Sequence, residues 1–293
     1  MTHAAAQQLI LDKQDVMSAR NEHQLELENL YDKNQLLPRV RQAFQQSTQL
    51  DFKRMIQSAG VPEQFGWDVL AQIAIHKRCQ VPAMIGCLRR HGDTAQEVSE
   101  LLEQAVNGKL LTYSEKDQQL IVIYDISARL QAELDQFQYP LPMVVPPRVL
   151  HDNRDSGYLT GRSSVILRDN HHEDDVCLDH LNRMNQMALA LNLDTAQVIQ
   201  NRWRGLDKKA PDETWDDFKR RQRAFEKYDK VAKNVIGILL QEGNEIYLTH
   251  KYDKRGRTYC MGFHVTYQGT DWNKAVIEFV DKEHLRSEEH TSE

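Results

Sequence analysis

The stretch Tyr139-Pro140-Leu141-Pro142-Met143-Val144-Val145-Pro146-Pro147-Arg148 limits this chain's fold more than any other. It carries four prolines in the eight residues from Pro140 to Pro147. Each proline fixes its φ and removes a backbone donor, so neither a helix nor a central strand runs through it. The stretch reads as an extended, stiff connection, and such a connection fixes the placement of what lies on either side. It is the clearest domain boundary in the sequence.

Residues 1–138, before that boundary, read as a helical N-terminal domain. Ala4 to Leu30 is rich in Ala, Gln, Leu and Glu, all good helix formers. Pro38 marks the expected start of a second helix and Gly60 its end; Pro62 and Pro82 mark the next two starts. Asp93-Thr94-Ala95-Gln96 has the form of a helix cap, and Val98, Leu101, Leu102 and Val106 follow at helical spacing up to Asn107-Gly108. Leu110–Tyr113 reads as a short strand, Leu120–Ile126 as a strand or buried helix, and Arg129–Phe137 as helix. The basic groups Lys77-Arg78 and Arg89-Arg90-His91 read as solvated helix faces. No catalytic constellation is visible here.

Composition excludes several classes. The 293 residues carry a net charge of −6, so no global basic field announces nucleic acid, and cations are concentrated locally instead. Cys79, Cys87, Cys177 and Cys260 lack Cys-x-x-Cys spacing and read as reduced thiols, not a disulfide frame or zinc site. The first ten residues lack the order of a signal peptide, and no apolar run approaches the ~18 residues of a membrane span. The final run, Arg286–Glu293, matches a translated sequencing adapter and reads as a metagenomic assembly artefact, which leaves the true C-terminus open.

Residues 139–172 form the proline-rich connection and a loop, Gly157-Tyr158-Leu159-Thr160-Gly161-Arg162, able to present Arg162 to a ligand. His171-His172-Glu173-Asp174-Asp175 suggests a metal site, but adjacent side chains diverge on helix or strand; an acidic helix N-terminus is the expected structure. Leu178, Leu181, Met184, Ala188 and Leu191 keep helical spacing, and Asp194-Thr195-Ala196-Gln197 repeats the capping pattern. A second helix runs from about Asp212 to Gln241. Lys219, Arg220, Arg221, Arg223, Lys227, Lys230 and Lys233 lie on it, packed through Phe218, Phe225, Val231, Val235, Ile238 and Leu239. Residues 173–243 thus read as a helical hairpin with one basic arm, whose cations suit a regularly charged phosphate backbone.

The chain then enters Lys251-Tyr252-Asp253-Lys254-Arg255-Gly256-Arg257-Thr258-Tyr259. Apolar residues flank it on both sides, so a strand–turn–strand with cations at its tip is expected. Gly256 permits a sharp turn and a close approach to a large ligand. Arg255 and Arg257 suit bidentate contacts to phosphate. Asp253 either orients one of those arginines or holds the backbone turn. The unit is an anion-binding turn.

This run resembles the Asp-x-x-Gly-Arg motif of the single-subunit, bacteriophage and mitochondrial type RNA polymerases. Gln268-Gly269-Thr270-Asp271-Trp272-Asn273-Lys274 is similar to the segment that follows the motif there, and the proline-rich and Gly-Tyr-x-x-Gly-Arg segments to those before the thumb. The resemblance covers residues 139–283. It implies a mainly α fold with a small β portion: a helical N-terminal domain, a thumb-like hairpin over 173–243 and the first strands of a right-hand palm over 244–285. It also implies contacts to template, nascent RNA or hybrid from Asp253, Arg255, Gly256, Arg257, Tyr259 and Arg162, and from Lys219, Arg220, Arg223 and Lys227 of the basic arm.

In that family later palm motifs supply two aspartates that bind Mg2+, and the fingers handle the nucleotide. None of these motifs is found here, so no catalytic or metal-binding residue is assigned and the chain alone is expected to be inactive. The closest form within the family is the smaller chain of phage polymerases split in two, which implies a second, catalytic subunit, no membrane, and the cytoplasm of an infected bacterium. A truncated one-chain polymerase is the other explanation. A non-enzymatic nucleic-acid-binding accessory protein is the alternative from a different class.

Overall fold

The structure, a computed structural model, describes residues 3–30, 33–161, 163–169 and 173–282. Among the described residues the fold is mainly α, with short strands in small antiparallel sheets. The chain begins with helix α1 (His3–Leu30). It divides into two compact units, Leu30–Gln138 and Met1–Asn29 with Tyr139–Glu293. Helix α1 therefore groups with residues that follow the proline-rich stretch, not with the helices next to it in sequence.

The unit Leu30–Gln138 contains α2 (Lys33–Gln45), α3 (Phe52–Ser58), α4 (Glu63–His76), β1 (Arg78–Gln80), α5 (Val81–Cys87), α6 (Ala95–Asn107), β2 (Thr112–Ser114), β3 (Gln119–Ile121) and α7 (Ala128–Phe137). Its centre is α4, in which every residue from Phe65 to Ile75 is buried. A helix covered on all sides must be apolar nearly all round, as this one is. Leu36, Val40 and Phe44 of α2 are buried one turn apart. Pro38 does not start α2 but lies inside it. That apolar face outweighs the hydrogen bond the proline removes. The strands form an antiparallel sheet in the order β1-β3-β2, with Leu120 opposite both Cys79 and Tyr113. The cap of α6 falls one residue later than the sequence pattern suggests: the Thr94 hydroxyl accepts from Glu97 N at 3.2 Å, and the Glu97 carboxylate accepts from Asp93 N at 2.9 Å.

Asp68, on the buried α4, changes the reading of the basic groups. Arg41 Nε donates to it at 2.9 Å and Arg90 Nε at 3.1 Å, and His91 Nε2 lies 2.6 Å away. Burial raises the Asp68 carboxyl, but Arg90, His91 and Arg41 together hold it below the usual carboxylate range. The Arg90 side chain stays 61% exposed, as a solvated face would be, but it and His91 are both paired with the buried Asp68. They neutralise a carboxylate that would be costly to leave unpaired in the interior.

The second unit adds α8 (Leu178–Asn185), β4 (Leu189–Leu191), α9 (Leu193–Val198), α10 (Trp215–Leu239), β5 (His250–Tyr252), β6 (Thr258–Cys260), α11 (Asp271–Ala275) and β7 (Ile277–Phe279). The expected first arm of a helical hairpin is not one helix. It ends at Asn185, and Leu189–Leu191 is a strand paired antiparallel with β7. Leu189 also pairs with Ile246, and Tyr247 pairs with Met143, so four extended segments lie side by side. Three consecutive buried residues in β4 explain the break: a strand covered on both faces mimics helical spacing. The cap of α9 is Asn192, which accepts from Thr195 N at 2.9 Å, rather than Asp194. Asp174 and Asp175 do not open a helix either: a backbone oxygen of one and a carboxylate oxygen of the other accept from Asn153. His171 and His172 lie outside the described residues.

The proline-rich stretch is extended as expected, but it is interior. Leu141, Met143, Val144 and Val145 are all buried. Helix α1 holds it through a polar stripe at four-residue spacing. Arg20 donates to the carbonyls of Val144 and Glu245 and, at 3.1 Å, to the Glu245 carboxylate. Gln24 accepts from Val144 N at 2.8 Å and donates to Glu28 at 2.9 Å. Glu28 in turn accepts from Leu159 N at 2.8 Å and from Thr160 N and Oγ1, both at 2.7 Å. The loop between Gly157 and Gly161 is thus shaped by one buried carboxylate on α1.

Replacing Glu28 by Ala leaves those donors without an acceptor in a buried setting. We expect a loss of about 2–3 kcal/mol of stability, measured by urea unfolding, with α1 the first element to lose amide-exchange protection.

Candidate nucleic-acid interface

The basic turn is a β-hairpin. β5 and β6 pair antiparallel, with Lys251 opposite Tyr259 and Tyr252 opposite Thr258. Residues 253–257 form the tip, closed by Asp253 N donating to Arg257 O and Gly256 N donating to Asp253 O, both at 2.9 Å. Gly256 sits at φ +79°, a left-handed conformation that suits glycine.

Asp253 fills both roles left open by its sequence. One carboxylate oxygen accepts from Arg255 N at 2.9 Å and Arg257 N at 3.0 Å, which holds the turn. The other accepts from Arg257 Nε at 2.8 Å and lies 2.7 Å from its Nη2, which holds the side chain. The Arg257 guanidinium lies 5.5 Å over the Tyr259 ring. Hydrogen bonding from the Arg257 backbone, and then from its side chain, keeps the Asp253 carboxyl below the usual range, while Asp253 raises Arg257. The Arg257 side chain is thus held against the turn by Asp253 while about half of it stays exposed. Arg255 is held more loosely, with Nε 3.5 Å from Asp253.

Beside the tip is a recess of about 370 Å³ lined by Leu167, Arg168, Asp253, Lys254, Arg255, Arg257 and Tyr259. Four cations face one carboxylate there, an arrangement that attracts anions. Arg168 adopts φ +61°, a conformation costing a non-glycine residue on the order of 1 kcal/mol. Nothing in the sequence around Arg168 signals its place beside the hairpin. The placement arises because Tyr252 N donates to Val165 O at 2.8 Å and Ile166 bridges Tyr252 in parallel. Lys251 Nζ also donates to Ser163 Oγ at 3.0 Å.

The hairpin's edges are covered. Val165 and Ile166 pair with β5. The Gln268 side chain covers β6, accepting from Cys260 N at 3.0 Å and donating to Thr258 O at 3.2 Å. Its base is a buried polar group. His250 Nδ1 lies 2.9 Å from Asn185 Oδ1, and Nε2 lies 2.6 Å from the Tyr267 hydroxyl. A neutral imidazole satisfies both partners, donating to one and accepting from the other. Burial, with His180 nearby, lowers the His250 pKa to about 4, and burial pushes Tyr267 up to about 12.

The structure thus brings Asp253, Arg255, Gly256, Arg257 and Tyr259 together and adds Arg168. Arg162 lies outside the described residues. Lys219, Arg220, Arg223 and Lys227 are exposed on α10 and line no part of the recess. Helix α10 joins the segment after the hairpin through Tyr228, whose hydroxyl donates to Phe263 O at 3.0 Å. Arg221 is not part of the free basic face. It binds Glu213 at 2.6 and 2.7 Å and lies over Trp203 and Phe218.

Among the described residues, no cluster of His, Cys, Asp and Glu is arranged to hold a metal ion, and no helix is long and apolar enough to cross a membrane. No family model matches the chain, and no curated protein is significantly similar to it.

The His250 arrangement predicts a pH dependence. The folded pKa lies below the unfolded value of about 6.5, so the unfolded chain takes up the proton first as pH falls. The contribution is complete above about pH 6.5 and declines toward pH 4, by roughly 3 kcal/mol in all. Urea unfolding of the wild type should therefore weaken more steeply between about pH 7 and pH 5 than that of His250→Gln.

Proposed function

We propose that this chain is part of a phage-type DNA-directed RNA polymerase, as its small subunit or N-terminal portion. It holds template and RNA–DNA hybrid, while a second chain or a C-terminal half supplies the catalytic aspartates. The observation that carries this reading is the Asp253 clasp. The Asp-x-x-Gly-Arg run forms a covered hairpin whose one carboxylate sets both the turn and the direction of Arg257. A prealigned guanidinium beside Lys254, Arg255 and Arg168 suits a phosphate of a strand passing the tip.

In this reading the chain positions nucleic acid and does not perform the chemistry. Nucleotidyl transfer requires two magnesium ions and an in-line attack, and the aspartates for those ions belong to the partner or missing half. The contribution of Arg257 is alignment, and misplacing a strand by about 1 Å costs on the order of a hundredfold in rate. The site of action is the cytoplasm of an infected bacterium.

The test is co-expression with the neighbouring reading frame that carries the two aspartates. The two chains should copurify and transcribe. Arg257→Ala should lower transcription about a hundredfold or more while leaving the chains bound. Arg257→Lys should recover little, because an ammonium lacks the planar fork that Asp253 grips. Normal transcription by Arg257→Ala would overturn the role.

A further inference from the structure

The basic face of α10 has a feature that phosphate contacts do not require. Trp215, the first residue of the helix, is the most exposed tryptophan at 65%; Trp203 is 48% exposed but lies against Arg221, and Trp67 and Trp272 are buried at 5% and 3%. On a regular helix Trp215, Lys219, Arg223 and Lys230 fall within a sector of roughly 80°, spread over about 22 Å of axis. The buried residues Val231, Ala232, Val235 and Leu239 lie on the opposite side. Glu226 interrupts the stripe without reversing its sign.

The ring is also supported. The Thr214 hydroxyl accepts from Asp217 N at 3.2 Å and fixes the helix start. The buried Phe218 meets the Trp215 ring edge-on at 6.0 Å between centroids. Arg221 covers Phe218 at 5.6 Å and is itself held by Glu213. An indole held in this way at the head of a cationic stripe combines the two elements that bind unpaired strands: a stacking platform and a phosphate track. In a duplex the faces of internal bases are already stacked, so such a ring has little to gain from one.

We infer that the exposed face of α10 binds an unpaired nucleic-acid strand, with Trp215 stacking on a base and Lys219, Arg223 and Lys230 contacting phosphates. The inference deepens the reading above and rests on it for the source of the strand, an unpaired segment of template or transcript.

The test uses the full chain without its catalytic partner. The probes are a twelve-nucleotide oligothymidylate and a relaxed circular duplex, which has no open ends. Trp215→Ala should weaken oligothymidylate binding about tenfold or more and leave duplex binding unchanged, while Trp215→Phe retains most of the affinity. Replacing Lys219, Arg223 and Lys230 together by Gln should weaken both and reduce the salt slope for the single strand by about 2. Unchanged oligothymidylate affinity in Trp215→Ala would overturn the inference. So would a Trp215→Ala effect seen only as weaker assembly with the catalytic chain, which would make this face a protein contact. If transcription fails but the Trp215 effect is present, the polymerase reading falls and the single-strand site stands. The reverse pattern removes only the site.

Discussion

Three polar side chains on one face of α1 hold the second unit together. Arg20, Gln24 and Glu28 are spaced by four residues, so a helix stacks them in one line. They meet backbone groups of Val144, Glu245, Leu159 and Thr160, all more than a hundred residues away in sequence. Buried charges and amides need partners, and here each finds them in segments that have little regular structure of their own. The proline-rich stretch cannot supply its own ladder of hydrogen bonds. The stripe on α1 and the pairing of Met143 with Tyr247 replace it. A one-residue shift of α1 would take all three side chains from their partners at once, which makes the arrangement specific.

The hairpin solves a similar problem on a smaller scale. Two strands alone are marginal in water, and their edges invite wrong pairing. Val165 and Ile166 cover one edge and the Gln268 side chain the other. The buried His250 fixes the base between Asn185 and Tyr267. What projects from this support is a tip whose conformation is set by Asp253. The cations are presented from a framework braced on both edges, and in the proposed role preorganisation of that kind reduces the entropy lost to a ligand.

The parts legible in the sequence are those decided over a few residues. The tip is one: Asp253, Gly256 and Arg257 lie within five positions, so their turn and ion pair follow from local chemistry. The long helix α10 is another, with its basic and apolar faces written in its period. Where two local solutions competed, the sequence pattern was less decisive. Thr94 and Asn192 cap their helices in place of Asp93 and Asp194, since several side chains nearby offer an acceptor. Ala188 and Leu191 continued the helical spacing, yet Leu189–Leu191 formed a strand, because a segment buried on both faces has no period to distinguish it.

From its sequence alone, this protein is mainly helical with a small β portion, is interrupted at its proline-rich stretch, and carries a basic turn with an aspartate placed to clasp it. Each of these depends on residues close together in the chain, where propensity, period and turn chemistry act. The tertiary structure decided the rest. It placed Arg168 beside the tip, paired Arg90 and His91 with the buried Asp68, moved α1 into the later unit, and covered both edges of the hairpin. These outcomes depend on which distant groups must be paired once water is excluded, and that requirement is met only when the whole chain has folded.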